Sequence, residues 1–192
     1  MFSGIIEKKA KILSINEGRF KVQNVFWSDL NIGQSIAHDG ACMSLEIFDD
    51  ESYTFYMMQE SLSKTNFWSK QVGDEFNIER CVRAGDRLDG HIVTGHIDTT
   101  WSVTRFEQLK DESWILWVKF DKDFSKYTVH KWSIALNGTS LTLSKDDRWY
   151  IEVSLIPITL SETNLGNIKL WDIINIEFDI LWKYIVKNNN LK

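Results

Sequence analysis

A duplicated stretch constrains this chain more than any other feature. Ser35-Ile36-Ala37-His38-Asp39-Gly40-Ala41-Cys42-Met43-Ser44-Leu45 returns 98 positions later as Ser133-Ile134-Ala135-Leu136-Asn137-Gly138-Thr139-Ser140-Leu141-Thr142-Leu143. The same offset relates Leu62-Ser63 to Leu160-Ser161, Thr65-Asn66 to Thr163-Asn164, Asp74 to Asp172, and Asn77-Ile78-Glu79 to Asn175-Ile176-Glu177. A register held at so many points marks two copies of one folding unit. A weaker echo links Gly4-Ile5-Ile6 to Gly95-His96-Ile97. The expected organisation is a first unit over 1–87, a second over 88–179, and a tail over 180–192, with Ala84-Gly85-Asp86-Arg87 as the connection.

Each unit reads as all-β. Ala10 to Ile15 and Arg19 to Val25 are strand candidates joined at Asn16-Glu17-Gly18. Gln34 to Leu45 alternates and is broken at Asp39-Gly40, a dipeptide that tolerates left-handed turns. Tyr53 to Met58 and Phe76 to Arg80 complete the first unit, with a short helix over Ser61 to Phe67. In the second unit Trp114 to Phe120, Ile134 to Leu143, Trp149 to Ile156 and Ile173 to Phe178 read as strands, and Asp123 to Val129 as a helical turn. Pro157, the one proline, is expected to end or bend an edge strand because it cannot donate to a ladder. Ile180 to Val186 reads as a short helix that packs against a neighbouring molecule rather than its own barrel. Short strands with frequent turns favour small antiparallel barrels or sandwiches, and closing a sheet into a barrel removes its exposed edges.

Composition narrows the functional classes. The net charge of -5 argues against a nucleic-acid surface. Met1 to Lys8 lacks the pattern of a signal peptide, and no apolar run approaches the ~20 residues of a membrane helix. Two cysteines, Cys42 and Cys81, argue against a disulfide scaffold and fit a reducing cytoplasm. No strand, glycine loop and helix pattern suggests a dinucleotide fold, and the few His and Cys lack zinc spacing.

The chain resembles the α-type riboflavin synthase family over essentially its whole length. The resemblance rests on Met1-Phe2-Ser3-Gly4-Ile5-Ile6-Glu7, Ser35 to Leu45, Glu60-Ser61-Leu62 with Thr65, and Asn77-Ile78-Glu79-Arg80. In the second half it rests on Gly90-His91, Thr94-Gly95-His96-Ile97-Asp98, Asn137-Gly138-Thr139-Ser140-Leu141-Thr142, and Ile156-Pro157 with Thr159, Leu160 and Thr163. It implies two fused six-stranded Greek-key barrels, a C-terminal trimerisation helix and a homotrimer. It implies a dismutation of two 6,7-dimethyl-8-ribityllumazine molecules into riboflavin and 5-amino-6-ribitylamino-2,4-pyrimidinedione, with no metal or cofactor. Each site would hold two lumazines, between the first barrel of one subunit and the second barrel of another. The resemblance also raises association with lumazine synthase as a further partnership. A non-catalytic lumazine- or flavin-binding paralogue is the alternative.

The resemblance implies roles for particular residues. Ser35, Cys42, His96 and Asn137 are the catalytic candidates. Ser35 would position a water or hydroxyl for C7 of a lumazine, Cys42 would contact the ring, and His96 would take a proton from the C7 methyl group. Substrate contacts are expected from Gly4, Ile5 and Ile6; from Cys42, Met43 and Ser44; and from Tyr56, Met57, Met58, Gln59, Glu60, Ser61 and Thr65. They are further expected from Gly95, His96, Ile97 and Lys131; from Ser140, Leu141 and Thr142; and from Leu155, Ile156, Pro157, Ile158, Thr159, Leu160 and Thr163. Thr65 and Thr163 could equally cap short helices. His38 could carry protons near neutrality, His91 reads as a structural hydrogen-bonding group, and Cys81 as structural. Asn137 departs from the family, which usually has Asp there and Asn at the place of Asp39, so an acid–base role at 137 would be absent or moved.

The nine tryptophans are unusual in position. Across the repeat Trp68 stands opposite Gly166, and Trp171 opposite Gly73, while Trp101, Trp132 and Trp182 fall where the family carries glycine. A turn needing positive φ does not suit Trp. Either the protein has an enlarged aromatic surface with adapted turns, or the source organism decodes as glycine a stop codon that the written sequence renders as tryptophan; the second reading is preferred.

Overall fold

Alternating inward apolar residues close each half of the chain around its own core. The computed structural model describes residues 1–27, 29–147 and 149–189. The first half forms β1 (Lys8–Asn16), β2 (Arg19–Gln23), β3 (Ser35–His38), β4 (Ala41–Phe48), β5 (Ser52–Tyr56) and β6 (Glu75–Arg80). They pair in the ring order β1-β2-β5-β4-β3-β6, and β6 returns to β1 in antiparallel register, with Ala10 opposite Phe76. The second half forms β7 (Thr99–Gln108), β8 (Trp114–Lys119), β9 (Ser133–Leu136), β10 (Thr139–Asp146), β11 (Tyr150–Leu155) and β12 (Ile173–Phe178). Their ring order, β7-β8-β11-β10-β9-β12, repeats the first. These are the two copies that the repeat marked, closed as the tandem six-stranded antiparallel barrels that the resemblance implied.

Closure needs sharply bent strands. Register shifts fall at Leu45/Ile47 in the first barrel and at Leu143/Lys145 in the second, which are equivalent positions of the repeat. Such bulges increase twist locally and let a short sheet curl onto itself. Inside the first barrel Phe20, Phe55, Phe67 and Phe76 pack together, with Phe20 stacked on Phe55 at 5.3 Å. Inside the second, Trp101, Phe120 and Phe178 meet within a largely aliphatic core. Each such side chain removed from water contributes about 1.5–3 kcal/mol.

Among the described residues there are three short α-helices: α1 (Gln59–Lys64), α2 (Pro157–Glu162) and α3 (Ile180–Asn189). Pro157 does not bend an edge strand. β11 ends at Leu155, and Pro157 opens α2, where its missing N–H costs no helical hydrogen bond. The predicted helix of the first unit is divided into α1 and a 3-10 turn over Asn66–Ser69. β7, the longest strand among the described residues, has no clear signature in the sequence because its polar outer face dilutes the apolar alternation. The tail is helical as expected but is not free of its own barrel. Asp179 Oδ1 accepts from Leu181 N at 2.8 Å, Trp182 Nε1 donates to Lys126 O at 2.8 Å, and Lys183 pairs with Asp98 at 2.6 Å. The last three positions of the tail, 190–192, lie outside the described residues. No helix among the described residues is long and apolar enough to cross a membrane.

The barrels meet across a pseudo-twofold seam built from the repeated Asp39-Gly40 and Asn137-Gly138 turns. All four residues have positive φ, as a two-residue hairpin turn of this hand requires. A Cβ on Gly40 would lie 2.8 Å from Gly138 Cα, so the turns touch backbone to backbone. Asn77 Nδ2 donates to Asn137 O and Asn175 Nδ2 to Asp39 O, each at 2.9 Å. Asn77 N donates to Asp39 Oδ1 at 2.8 Å, and Asn175 N to Asn137 Oδ1 at 2.9 Å. Asn164 N and Asn66 N close the set on the Asn77 and Asn175 side-chain oxygens at 2.6 and 2.7 Å. Buried amides are costly unless paired, and here each barrel supplies partners for the other.

Candidate functional site

The outer sides of the β3–β4 and β9–β10 hairpins form two equivalent faces. Across the first hairpin Ser35 is opposite Ser44 and Ala37 opposite Cys42; across the second Ser133 is opposite Thr142 and Ala135 opposite Ser140. Strand alternation turns Ser35, Cys42 and Ser44 out of the first barrel, and Ser140 and Thr142 out of the second. The same alternation sends other candidates inward. Met43 and Met57 belong to the first core, Leu155 lies in the second, and Leu141 packs against that second core. Their side chains are therefore packing groups, which leaves only their backbone for the contacts expected of them. Met58, Ile156 and Ile158 are more than half exposed, and Tyr56 lies on the outer surface with the Arg19 guanidinium 5.2 Å from its ring.

Two crossing arms complete the faces. The N-terminal arm leaves the first barrel and lies on the second, where Ser140 N donates to Gly4 O at 2.7 Å. The arm before β7 lies on the first, where Cys42 N donates to Gly95 O at 2.8 Å. Both glycines have positive φ, and a Cβ would come within 2.7 Å of Ser140 Cβ at Gly4 and 2.5 Å of Cys42 Cβ at Gly95. Only glycine permits that approach. Ile5 and Ile6 are thereby carried to the second barrel, and His96 and Ile97 to the first. Ile5 and His96 are both exposed. Phe2, Ala37, Val93 and Ala135 form a small apolar cluster beneath the arms, with Cys42 packed against it.

A buried carboxylate holds each arm. Glu79 Oε1 accepts from Ser3 N at 2.6 Å and from Ser3 Oγ at 2.8 Å, and Oε2 accepts from Gly4 N at 3.0 Å. Glu177 does the same for the second arm, accepting from Thr94 N, Thr94 Oγ1 and Gly95 N at 2.6, 2.7 and 3.0 Å, and from His96 N at 3.1 Å. Burial pushes both carboxyls above the usual carboxylate range, and the hydrogen bonds they accept oppose that shift. Glu79 and Glu177 were present in the sequence only as a repeated triplet. Their task becomes visible once the arms are seen to cross.

The histidines separate clearly. His38 is fully buried, its Nε2 is 2.7 Å from Tyr53 Oη, and burial lowers its pKa to about 3. It is neutral at physiological pH and cannot be the proton carrier that its place in the repeat suggested. His96 stands exposed on the first face, held through its backbone. His91 is buried with Nδ1 2.7 Å from Ser140 Oγ, and burial lowers its pKa against the opposing charge of Asp179.

Several other candidates take part in seam, capping or surface contacts. Asn137 is buried in the seam. Its Oδ1 accepts from Asn175 N, and its Nδ2 donates to Asn164 Oδ1 at 3.3 Å. This places it within the barrel-to-barrel network, away from Ser140 and Thr142 on the outer face where the catalytic role expected of it would be exercised. Thr65 and Thr163 cap 3-10 turns, accepting from Phe67 N and Leu165 N and donating to Ser61 O and Thr159 O. Capping was the alternative open in sequence. Glu60 pairs with Lys64 within exposed α1, where Gln59 is exposed and Ser61 half-buried. Thr159 and Leu160 lie half-buried on α2. Lys131 is exposed with φ 66°, at the place of Gly33 in the first repeat.

Comparison with known proteins agrees with this duplicated arrangement. A family model described as "Lumazine binding domain" matches twice, over residues 3–81 and 94–179. The riboflavin synthase of Actinobacillus pleuropneumoniae is 36% identical, covering 96% of this chain and 88% of that one. Those of Buchnera aphidicola subsp. Schizaphis graminum and Escherichia coli K12 are each 35% identical, covering 97% and 93% of this chain and 92% and 87% of theirs. Among solved structures, LumP complexed with riboflavin superposes with a TM-score of 0.84 at 22% identity, covering 93% of this chain and 99% of that one. LumP complexed with 6,7-dimethyl-8-(1'-D-ribityl) lumazine gives 0.82 at 21%, covering 92% and 98%. Two matched lumazine-binding domains, in two barrels of one topology, place this chain in the two-barrel riboflavin synthase family.

Proposed function

We propose that this protein is a riboflavin synthase, passing a four-carbon unit between two molecules of 6,7-dimethyl-8-ribityllumazine to give riboflavin and 5-amino-6-ribitylamino-2,4-pyrimidinedione. The observation that carries the reading is the pair of equivalent faces that differ in chemistry. Cys42 and Ser140 occupy one position of the repeat, and each donates its backbone N–H to the arm crossing from the other half. Two related faces suit two copies of one substrate, and their difference lets the copies take opposite roles. The two substrates contain every atom of the two products, so the reaction needs no further reactant.

Ring orientation supplies much of the rate in such a scheme, because it removes the entropy of encounter. His96, exposed beside Cys42 on the first face, accepts the proton from the acidic C7 methyl of a lumazine. Ser35, two strand positions from Ala37 on the same outer side, positions the hydroxyl or water that adds at C7. A homotrimer would bring the first face of one chain against the second face of another. In support, Ile5, Met58, Ile156 and Ile158 are exposed around the faces, and Leu181, Tyr184 and Ile185 along α3.

Incubation with 6,7-dimethyl-8-ribityllumazine alone tests the reading. One riboflavin is expected per two lumazines consumed. Tight binding without riboflavin would favour a non-catalytic paralogue.

A further inference from the structure

His91 belongs to the connecting segment, yet it reaches the second face. Its Nδ1 is 2.7 Å from Ser140 Oγ, and its Nε2 is buried with no hydrogen-bond partner among the described residues. In a neutral imidazole one nitrogen donates and the other accepts. A buried N–H left unpaired is rarer and more costly than an unpaired acceptor. The orphaned Nε2 is therefore the bare nitrogen, and Nδ1–H donates to Ser140 Oγ. That bond occupies a lone pair of the hydroxyl and leaves its hydrogen free to turn outward.

The ring is fixed where it stands. His91 N donates to Ser3 O at 3.1 Å, and Phe2 pairs with Val93 as an isolated bridge. Gly90 is pressed so closely on the arm and hairpin that a Cβ would lie 2.0 Å from Ser3 O and 2.9 Å from Ser140 Cβ. Among the described residues no side chain bonds the thiol of Cys42, the equivalent of Ser140. The repeat thus presents a soft, unheld thiol on one face and a held hydroxyl on the other.

We propose that His91 is a positioning residue of the second face: by donating to Ser140 Oγ it aims the Ser140 hydroxyl hydrogen at a carbonyl oxygen or ring nitrogen of the lumazine bound there. The proposal rests on the second face being a lumazine site. It makes that site the one of the two that offers an oriented neutral donor, and so gives the Cys42–Ser140 difference a chemical content.

The experiment titrates 6,7-dimethyl-8-ribityllumazine by fluorescence into the full chain, resolving two sites per chain, for the wild type, Ser140→Ala, His91→Leu, His91→Asn and the double variant Ser140→Ala/His91→Leu. Ser140→Ala and His91→Leu are each expected to weaken one site about tenfold, the equivalent of about 1.4 kcal/mol. The double variant should be no weaker than Ser140→Ala alone. His91→Asn, whose amide nitrogen reaches the place of Nδ1, should recover most of the affinity. Additive losses in the double variant, no recovery in a folded His91→Asn, or an unchanged site in Ser140→Ala would each overturn the proposal. If His91→Leu does not fold, His91→Gln, whose amide sits one bond too far out, takes its place with the same expected loss. Failure of the wild type to bind lumazine at all would instead strike the functional reading itself.

Discussion

Asp39 Oδ2 lies 2.7 Å from Lys70 Nζ, in a seam where Asp39 is wholly buried and the Lys70 side chain is only 13% exposed. Across the repeat the same two places hold Asn137 and Ile168, both buried and uncharged. The two positions therefore differ together between the halves: Asp with Lys in the first, Asn with Ile in the second. Asp39 is thus one member of a buried ion pair beside the pseudo-twofold axis, and its counterpart Asn137 needs no cation.

That pairing predicts a conditional phenotype. Lys70→Ile alone strands a buried carboxylate and should cost about 3–5 kcal/mol. Adding Asp39→Asn, which copies the neutral arrangement of the other half, should restore most of the loss. Urea denaturation of the single and double variants measures both; equal instability of the two would refute the coupling.

Trp171 adopts φ 73° at the surface, where the equivalent position of the first repeat is Gly73 at φ 96° with open space around it. The indole N–H groups of Trp101 and Trp132 are buried without partners. By contrast, Trp101 packs well against Phe120 and Phe178, so these positions are not uniformly strained. Trp171→Gly should raise stability by about 1 kcal/mol by relieving a left-handed bulky residue. Intact-mass measurement of the native protein distinguishes glycine from tryptophan at these positions, and tryptophan at 132 and 171 would end the decoding explanation.

His38 makes stability depend on pH with a definite sign. Its folded pKa is about 3 against an ordinary 6.5, so between those values the unfolded chain binds the extra proton. Stability from this group is complete above pH 6.5 and falls by about 1.4 kcal/mol per unit as pH drops toward 3. His91, also lowered, acts in the same direction. Glu79 and Glu177, raised by burial, oppose it: their contribution is complete below the ordinary carboxylate value and fades as pH rises through their raised values. His38→Gln should flatten the urea midpoint between pH 5 and 7, and an unchanged slope would exclude His38 as its source.

Glu79, on β6 of the first barrel, anchors Ser3 and Gly4 where the N-terminal arm meets the second face, so Glu79→Ala should loosen that arm while both barrels stay folded. The expected signs are faster hydrogen exchange at Gly4 and Ser140 and a loss of riboflavin formation of at least tenfold. Glu177→Ala should do the same at Gly95 and Cys42. Protection unchanged at those amides would show that the arms are held by other contacts.

Residues 35–45 and 133–143 announced the duplication, the turn at each Asp/Asn-Gly pair and the alternation of inward and outward side chains. Those features are local, because a period of two and a left-handed turn are written in neighbouring residues. The sequence by itself determined two barrels of one plan and a difference between Cys42 and Ser140 at the same place. It did not determine that the arms cross, that Glu79 and Glu177 hold them, or that Asn137 is turned into the seam. Nor did it determine that His91 meets Ser140 or that Lys70 meets Asp39. Those contacts join residues from 31 positions apart, Asp39 and Lys70, to 136 apart, Gly4 and Ser140. They exist only after both sheets have closed and a pseudo-twofold axis has brought the two halves together, so only the tertiary structure decides them.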